Sequence, residues 1–99
     1  MKFVFHHEAE RELNRQIDYY EEIYPGLGVE FFEEVVSTVS RVIENPLVWQ
    51  QIKSGHRRCL TNRFPFSVIY STEENNNSIR IVSVKSQYQK PGYWEGRKF

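Results

Sequence analysis

The apolar residues of this chain change period once, near its midpoint, and that switch limits the folds open to it. In the first half they recur at intervals of three and four: Ala9, Leu13, Ile17, Tyr20 and Tyr24, then Phe32, Val35, Val36, Val39, Val42 and Ile43. That is the repeat of a helix with one buried face. In the second half the runs at residues 57–60, 66–71 and 79–85 are short and β-branched or aromatic, with the length and composition of strands. Residues 2–5 have the same character and supply a first strand ahead of the helices. The breaks fall where the chemistry requires them. Pro25-Gly26-Leu27-Gly28 separates the helices, and Asn45-Pro46 ends the second, because a residue before proline resists the α region. Asn62 to Pro65 and Glu73-Glu74-Asn75-Asn76-Asn77 read as turns between strands.

The expected order is therefore strand, helix, helix, strand, strand, strand. This is an α+β fold in which an N-terminal strand and an antiparallel helical hairpin accompany a small, mainly antiparallel sheet, the hairpin packing on one sheet face. Glu8 and Glu10 suit the positive end of the first helix dipole, but no Ser, Thr, Asp or Asn stands before them as a cap. Ninety-nine residues make one domain, 1–99. A single cysteine, Cys59, forms no internal disulfide and reads as a small buried hydrophobe in a reducing compartment. No apolar run reaches membrane-span length, and residues 1–8 lack the pattern of a signal peptide, so the expected location is the cytoplasm, without membrane attachment.

Charge is sorted along the chain. Residues 1–48 carry four Lys/Arg against ten Asp/Glu, whereas residues 49–99 carry nine against three, so a formal net charge of zero conceals a dipole. The basic half is interleaved with aromatic residues and suits an anionic partner, nucleic acid or acidic peptide. Its candidate binding residues are Lys53, Arg57, Arg58, Arg63, Arg80, Lys85, Tyr88, Lys90, Trp94 and Arg97. Side chains alternate along a strand, so Arg57 and Arg58 are expected on opposite faces, as are Arg80 and Lys85. Lys85, Tyr88 and Lys90 together could cradle a phosphate, with Tyr88 stacking on a base. Tyr93 and Trp94 read mainly as a hydrophobic plug closing the sheet. His6, His7 and His56 have no metal-ligand spacing and read as solvent-exposed; neither a metal nor a cofactor is expected. The acidic helix residues, Glu10, Asp18, Glu21, Glu22, Glu33 and Glu34, read as a solvated surface.

The chain resembles the RelE/ParE family of type II toxin–antitoxin toxins over nearly its whole length. The likeness lies in the helix from Glu8-Ala9 through Asp18-Tyr19-Tyr20-Glu21, the Pro25-Gly26-Leu27-Gly28 turn and Phe31-Phe32-Glu33-Glu34-Val35. It continues in Asn45-Pro46 with Trp49, in Gly55-His56-Arg57-Arg58, in Arg63-Phe64-Pro65-Phe66 with Tyr70, and in Pro91-Gly92-Tyr93-Trp94. The resemblance implies a toxin of type II modules, linked to plasmid stabilization and growth arrest and neutralised by a cognate antitoxin encoded beside it. ParE-like members poison DNA gyrase; RelE-like members cleave ribosome-bound mRNA, polarising the phosphate with clustered cations. Many relatives carry a His in the last strand and an Arg pair before the closing Pro-Gly-Tyr-Trp. Here Ser86 takes the place of the His and Tyr88-Gln89 that of the Arg pair, which removes a group titrating near neutral pH and two phosphate clamps. The expectation is a non-catalytic, gyrase-type inhibitor. A nuclease using Arg57, Arg58, Lys85 and Tyr88, and an inactivated relative that only binds antitoxin, are the alternatives.

Overall fold

A computed structural model describes residues 2–75 and 77–99; Asn76, at the tip of the expected asparagine turn, lies outside the described residues. Strand β1 (Lys2–Phe5) leads into helices α1 (His7–Ile23) and α2 (Leu27–Glu44). A two-residue strand β2 (Gln50–Gln51) and a 3-10 turn (Lys53–Gly55) precede β3 (Arg57–Leu60), β4 (Phe66–Glu73) and β5 (Ser78–Ser86). The five strands form one sheet in the order β1-β5-β4-β3-β2; β1 runs parallel to β5 and every other pairing is antiparallel. The expected order holds, with β2 as an unanticipated short addition at one edge.

The helical hairpin covers one face. Ala9 and Leu13 of α1 and Phe31, Val35, Val39 and Val42 of α2 bury against Cys59, Phe66, Val68, Tyr70, Ile79, Ile81 and Val84. The α2 stripe is displaced from the expected one: Phe31 and Thr38 are inside, whereas Phe32 and Val36 are exposed.

Two helix starts are capped by side chains that the sequence pattern concealed. His6 is buried rather than exposed. Its Nδ1 accepts from the Glu8 N–H at 3.0 Å, and its Nε2 lies 3.0 Å from the Lys98 carbonyl. With Nδ1 accepting, Nε2 carries the proton and donates to that carbonyl. Glu21, expected in solvent, reaches across the hairpin turn and accepts from the N–H groups of Gly26, at 2.7 Å, and Gly28, at 3.0 Å. A carboxylate there satisfies donors that have no intrahelical partner and complements the helix dipole. Gly28 also sets how closely the helices approach, since a Cβ at that position would stand 2.5 Å from the Ile17 carbonyl oxygen. Gly28→Ala should therefore destabilise the fold by about 1–3 kcal/mol through overpacking, read as a lower urea midpoint at unchanged m-value.

A bulge alters the geometry of the opposite face. Ile69 pairs with Ser83 but Tyr70 with Ile81, so β5 carries one extra residue at Val82. Ile81 and Val84 then both face the helices, three positions apart, and Arg80 and Lys85 both face away. The expectation that these two cations lie on different faces is thus overturned by one inserted residue, which reverses the alternation beyond it.

The reverse face is not bare. Residues 91–99 fold back over it, and Trp94, 3% exposed, packs on Ile69 and Val82 with Ile52 and Tyr93 beside it. No helix among the described residues is long and apolar enough to cross a membrane.

Candidate functional site

Between β3, the outer half of β5 and the returning C-terminal segment, the reverse face keeps a groove of about 550 Å³. Ile52, Leu60, Ile69 and Trp94 provide its apolar lining, Pro91 and Gly92 contribute beside them, and Lys53, Arg58 and Lys85 supply charge. Strand register explains the grouping. Arg58 sits opposite Ile69, and both Leu60 and Lys85 sit opposite Ser67, so all five share one face across three strands.

The turn before β3 sets the near wall. Ser54 adopts a left-handed conformation (φ 58°), and its hydroxyl donates to Glu95 Oε2 at 2.8 Å. His56 Nδ1 lies 2.9 Å from the Ser54 carbonyl, and the His56 ring lies 4.7 Å from that of Trp94. These ties hold a non-glycine residue in a region that costs about 1–2 kcal/mol.

The three groove cations lack carboxylate partners. Arg58 Nε donates to the neutral Gln50 Oε1 at 2.9 Å, and Lys85 Nζ donates to the Ser86 carbonyl at 3.0 Å. None of the ion pairs among the described residues involves Lys53, Arg58 or Lys85.

The remaining candidates lie elsewhere. Arg57 points to the helical side, where its Nη1 donates to the Trp49 carbonyl at 2.8 Å. Arg63 pairs with Glu30 at 2.8 Å and Arg80 with Glu73 at 3.2 Å, so acidic residues neutralise both. Tyr88, 86% exposed, stands over a separate hollow lined by Gln16, Tyr19, Tyr20 and Pro65; Lys90 is exposed and does not line the groove. The phosphate cradle expected from Lys85, Tyr88 and Lys90 is therefore not assembled, because the turn after β5 carries Tyr88 toward α1. Of the nuclease set Arg57, Arg58, Lys85 and Tyr88, only Arg58 and Lys85 share the groove. Trp94 serves as its floor, and as the plug expected of it.

Arg97 is not a surface cation. Its Nη2 lies 2.9 Å from Glu12 Oε2, and its Nη1 donates to Glu12 Oε1 at 3.1 Å and to the Val82 carbonyl at 2.8 Å. Glu12 Oε1 also accepts from the Val84 N–H at 3.0 Å and the Ser83 hydroxyl at 2.9 Å, and the Tyr93 hydroxyl donates to Oε2 at 2.6 Å. Strand β1 pairs only as far as Ile81. Beyond it, the exposed backbone of β5 is satisfied by this side-chain network, and Ser86 N–H is held by Gln89 Oε1. The result protects an edge that would otherwise recruit another strand. Sequence reasoning missed Glu12, although its position three residues after Ala9 on the apolar stripe was a usable signal.

Burial opposes the Arg97 charge, but its hydrogen bonds to Glu12 and that carboxylate's charge outweigh this and leave its pKa above the ordinary value. Burial, reinforced by the bond to Glu12, pushes Tyr93 up to about 12. Burial, with a smaller contribution from neighbouring Cys59, takes Tyr70 to about 12 against the opposing charge of Arg57. Cys59, fully buried, has its thiol pushed up by burial and is no nucleophile. Both tyrosines stay neutral in the fold while the unfolded chain ionises near 10. Their stabilisation is thus complete below pH 10 and lost as pH rises toward 12. Urea midpoints measured from pH 9 to 12 should fall steeply over that interval, and Tyr93→Phe should flatten part of the fall. Among the described residues, no group of three or more His, Cys, Asp or Glu could hold a metal ion.

Comparison with known proteins gives this geometry a family. A family model described as "ParE toxin of type II toxin-antitoxin system, parDE" matches residues 3–91. Among solved structures, the chain is similar to one described as "Chromosomal ParDE TA system from P. aeruginosa", with a TM-score of 0.75 and 19% identity over 87% of this chain and 95% of that one. No curated protein sequence matches. The likeness in structure covers the strand, the helical hairpin and the sheet; the match over 3–91 decides the assignment. The chain belongs to the ParE family of type II toxin–antitoxin toxins.

Proposed function

We propose that this toxin acts in the cytoplasm by binding its target rather than by chemistry, that the target is DNA gyrase, and that a cognate antitoxin neutralises it. One observation carries the first part: the groove gathers uncompensated cations over an apolar floor, and its lining contains no His, carboxylate, thiol or phenol. Cleaving a phosphodiester calls for a group that takes the 2′-hydroxyl proton and one that protonates the leaving oxygen. Lys53, Arg58 and Lys85 can attract and hold an anion, but no imidazole, carboxylate or phenol stands beside them in the groove lining to relay a proton. Tyr88, the one phenol of the nuclease set, faces another hollow. The ParE assignment supports gyrase as the target, and the ParDE description of the solved relative supports an antitoxin partner.

Inducible expression tests this reading. With the chain alone, growth should stop, purified gyrase should lose supercoiling activity in its presence, and ribosome-bound message should remain intact. Co-expression of the neighbouring open reading frame should restore growth and yield a co-purifying complex. Cleaved message with unaffected gyrase would overturn the proposal.

A further inference from the structure

We infer that the reverse-face groove takes an extended segment of the protein target in which an aliphatic side chain lies between carboxylates, and not a nucleic acid. This rests on the reading that the toxin acts by binding a protein. The distribution of charge supports it. The fold neutralises Arg63, Arg80 and Arg97 with Glu30, Glu73 and Glu12, yet leaves Lys53, Arg58 and Lys85 without a carboxylate around one cavity. Arg58 and Lys85 occupy β3 and β5, two inter-strand steps apart and offset by two residues along the strands, a diagonal of roughly 12 Å. The residues between them on that face are Ile69 and Ser67, and the half-exposed Leu60 stands next to Arg58's row. A ligand matching this pattern is acidic on both flanks and apolar at its centre.

The floor argues against nucleic acid. Single strands held by basic grooves gain much of their affinity from bases stacking on exposed aromatic rings. The only aromatic residue lining this groove is Trp94, which is 3% exposed and covered by Ile69, Val82 and His56. Tyr88, the exposed aromatic of the expected phosphate cradle, opens onto another hollow. A phosphate backbone would find the cations but would lay its charge over Leu60 and Ile69. A peptide segment meets both requirements, with carboxylates reaching the lysines and arginine and an aliphatic side chain covering the leucine and isoleucine.

Two measurements on the purified chain, freed of any antitoxin, test the inference. In the first, the 15N-labelled chain is titrated with a synthetic peptide alternating Asp and Leu, with the same peptide carrying Asn for Asp, and with oligothymidine. The Asp/Leu peptide should shift the amides of Arg58, Leu60, Ser67, Ile69 and Lys85 saturably, the Asn version should bind about tenfold more weakly or worse, and oligothymidine should not displace it. In the second, Leu60→Asp and Lys85→Glu should each weaken inhibition of gyrase supercoiling by about tenfold or more, while Arg15→Glu on α1 inhibits as wild type does. Oligothymidine that displaces the peptide, peptide shifts that map outside the groove, or groove variants that inhibit normally would each overturn the inference. So would groove variants that lose only the antitoxin, since the groove would then be the antitoxin's site. A wild-type chain that leaves gyrase untouched sinks the functional reading instead, and the peptide titration still decides the chemistry of the groove.

Discussion

Glu12→Ala is expected to lower folding stability by about 2–4 kcal/mol, because it leaves the partly buried Arg97 guanidinium without its counter-charge. The same change orphans the Val84 N–H and removes the carboxylate to which the Ser83 and Tyr93 hydroxyls donate, leaving those two hydroxyls to bond each other. Arg97→Ala should cost a similar amount, since the carboxylate then stays buried and the Val82 carbonyl loses its donor. Replacing both with Met tests whether the charges themselves are needed. A well-packed apolar pair can match or exceed a buried ion pair, but Met at residue 12 cannot accept the Val84 N–H. The double variant should therefore recover much, not all, of the loss. Urea denaturation of Glu12→Met, Arg97→Met and the double Met variant completes a thermodynamic cycle, and a coupling energy near zero would sink the account. The effect should also reach the groove. Arg97 anchors the segment that carries Trp94, and Trp94 is the groove's floor, so the single variants should show altered tryptophan emission at denaturant concentrations below the main transition.

Arrangement of elements was readable because it rests on local physics. Helical spacing, strand-length runs and Pro/Gly breaks are each settled within a few residues, and together they place β1, the hairpin and β3 to β5 in order. What failed to show depends on partners distant in the chain. Nothing local says that Arg97 meets Glu12, 85 positions away, or that Arg63 meets Glu30. Net charge per half therefore predicted a broad cationic face, whereas the fold pairs off several of those cations and concentrates the groove's charge in Lys53, Arg58 and Lys85. The bulge at Val82 is a second case. Alternation is a reliable rule until one residue is inserted, and the β-branched stretch around Val82 carries no glycine to mark the position. His6 and Glu21 are a third: neither is a usual capping residue, and each caps because the chain brings it to an open helix end.

The α2 stripe gives the sharpest contrast between pattern and packing, and the second large effect. Phe31 and Phe32 are adjacent, and spacing alone favours Phe32, which aligns with Val35, Val36 and Val39. The fold instead buries Phe31 completely and leaves Phe32 45% exposed. Phe31 wins because three aromatic rings surround its position: Tyr20 at 5.2 Å, Phe64 at 5.2 Å and Phe66 at 4.9 Å. The edge-to-face contacts with Phe64 and Phe66 and the tilted one with Tyr20 add to the transfer of the ring out of water. Phe31→Ala should therefore cost about 3–5 kcal/mol, whereas Phe32→Ala should cost about 1 kcal/mol or less, as at exposed positions. Thermal denaturation of the two variants measures the difference directly, and equal losses would mean that the helix is rotated from the orientation described. The aromatic cluster lies on the helical side of the sheet and the groove on the other. Phe31→Ala should thus lower the melting temperature while the folded fraction keeps its groove, so that the proposed inhibition of gyrase, per folded molecule, stays near wild type.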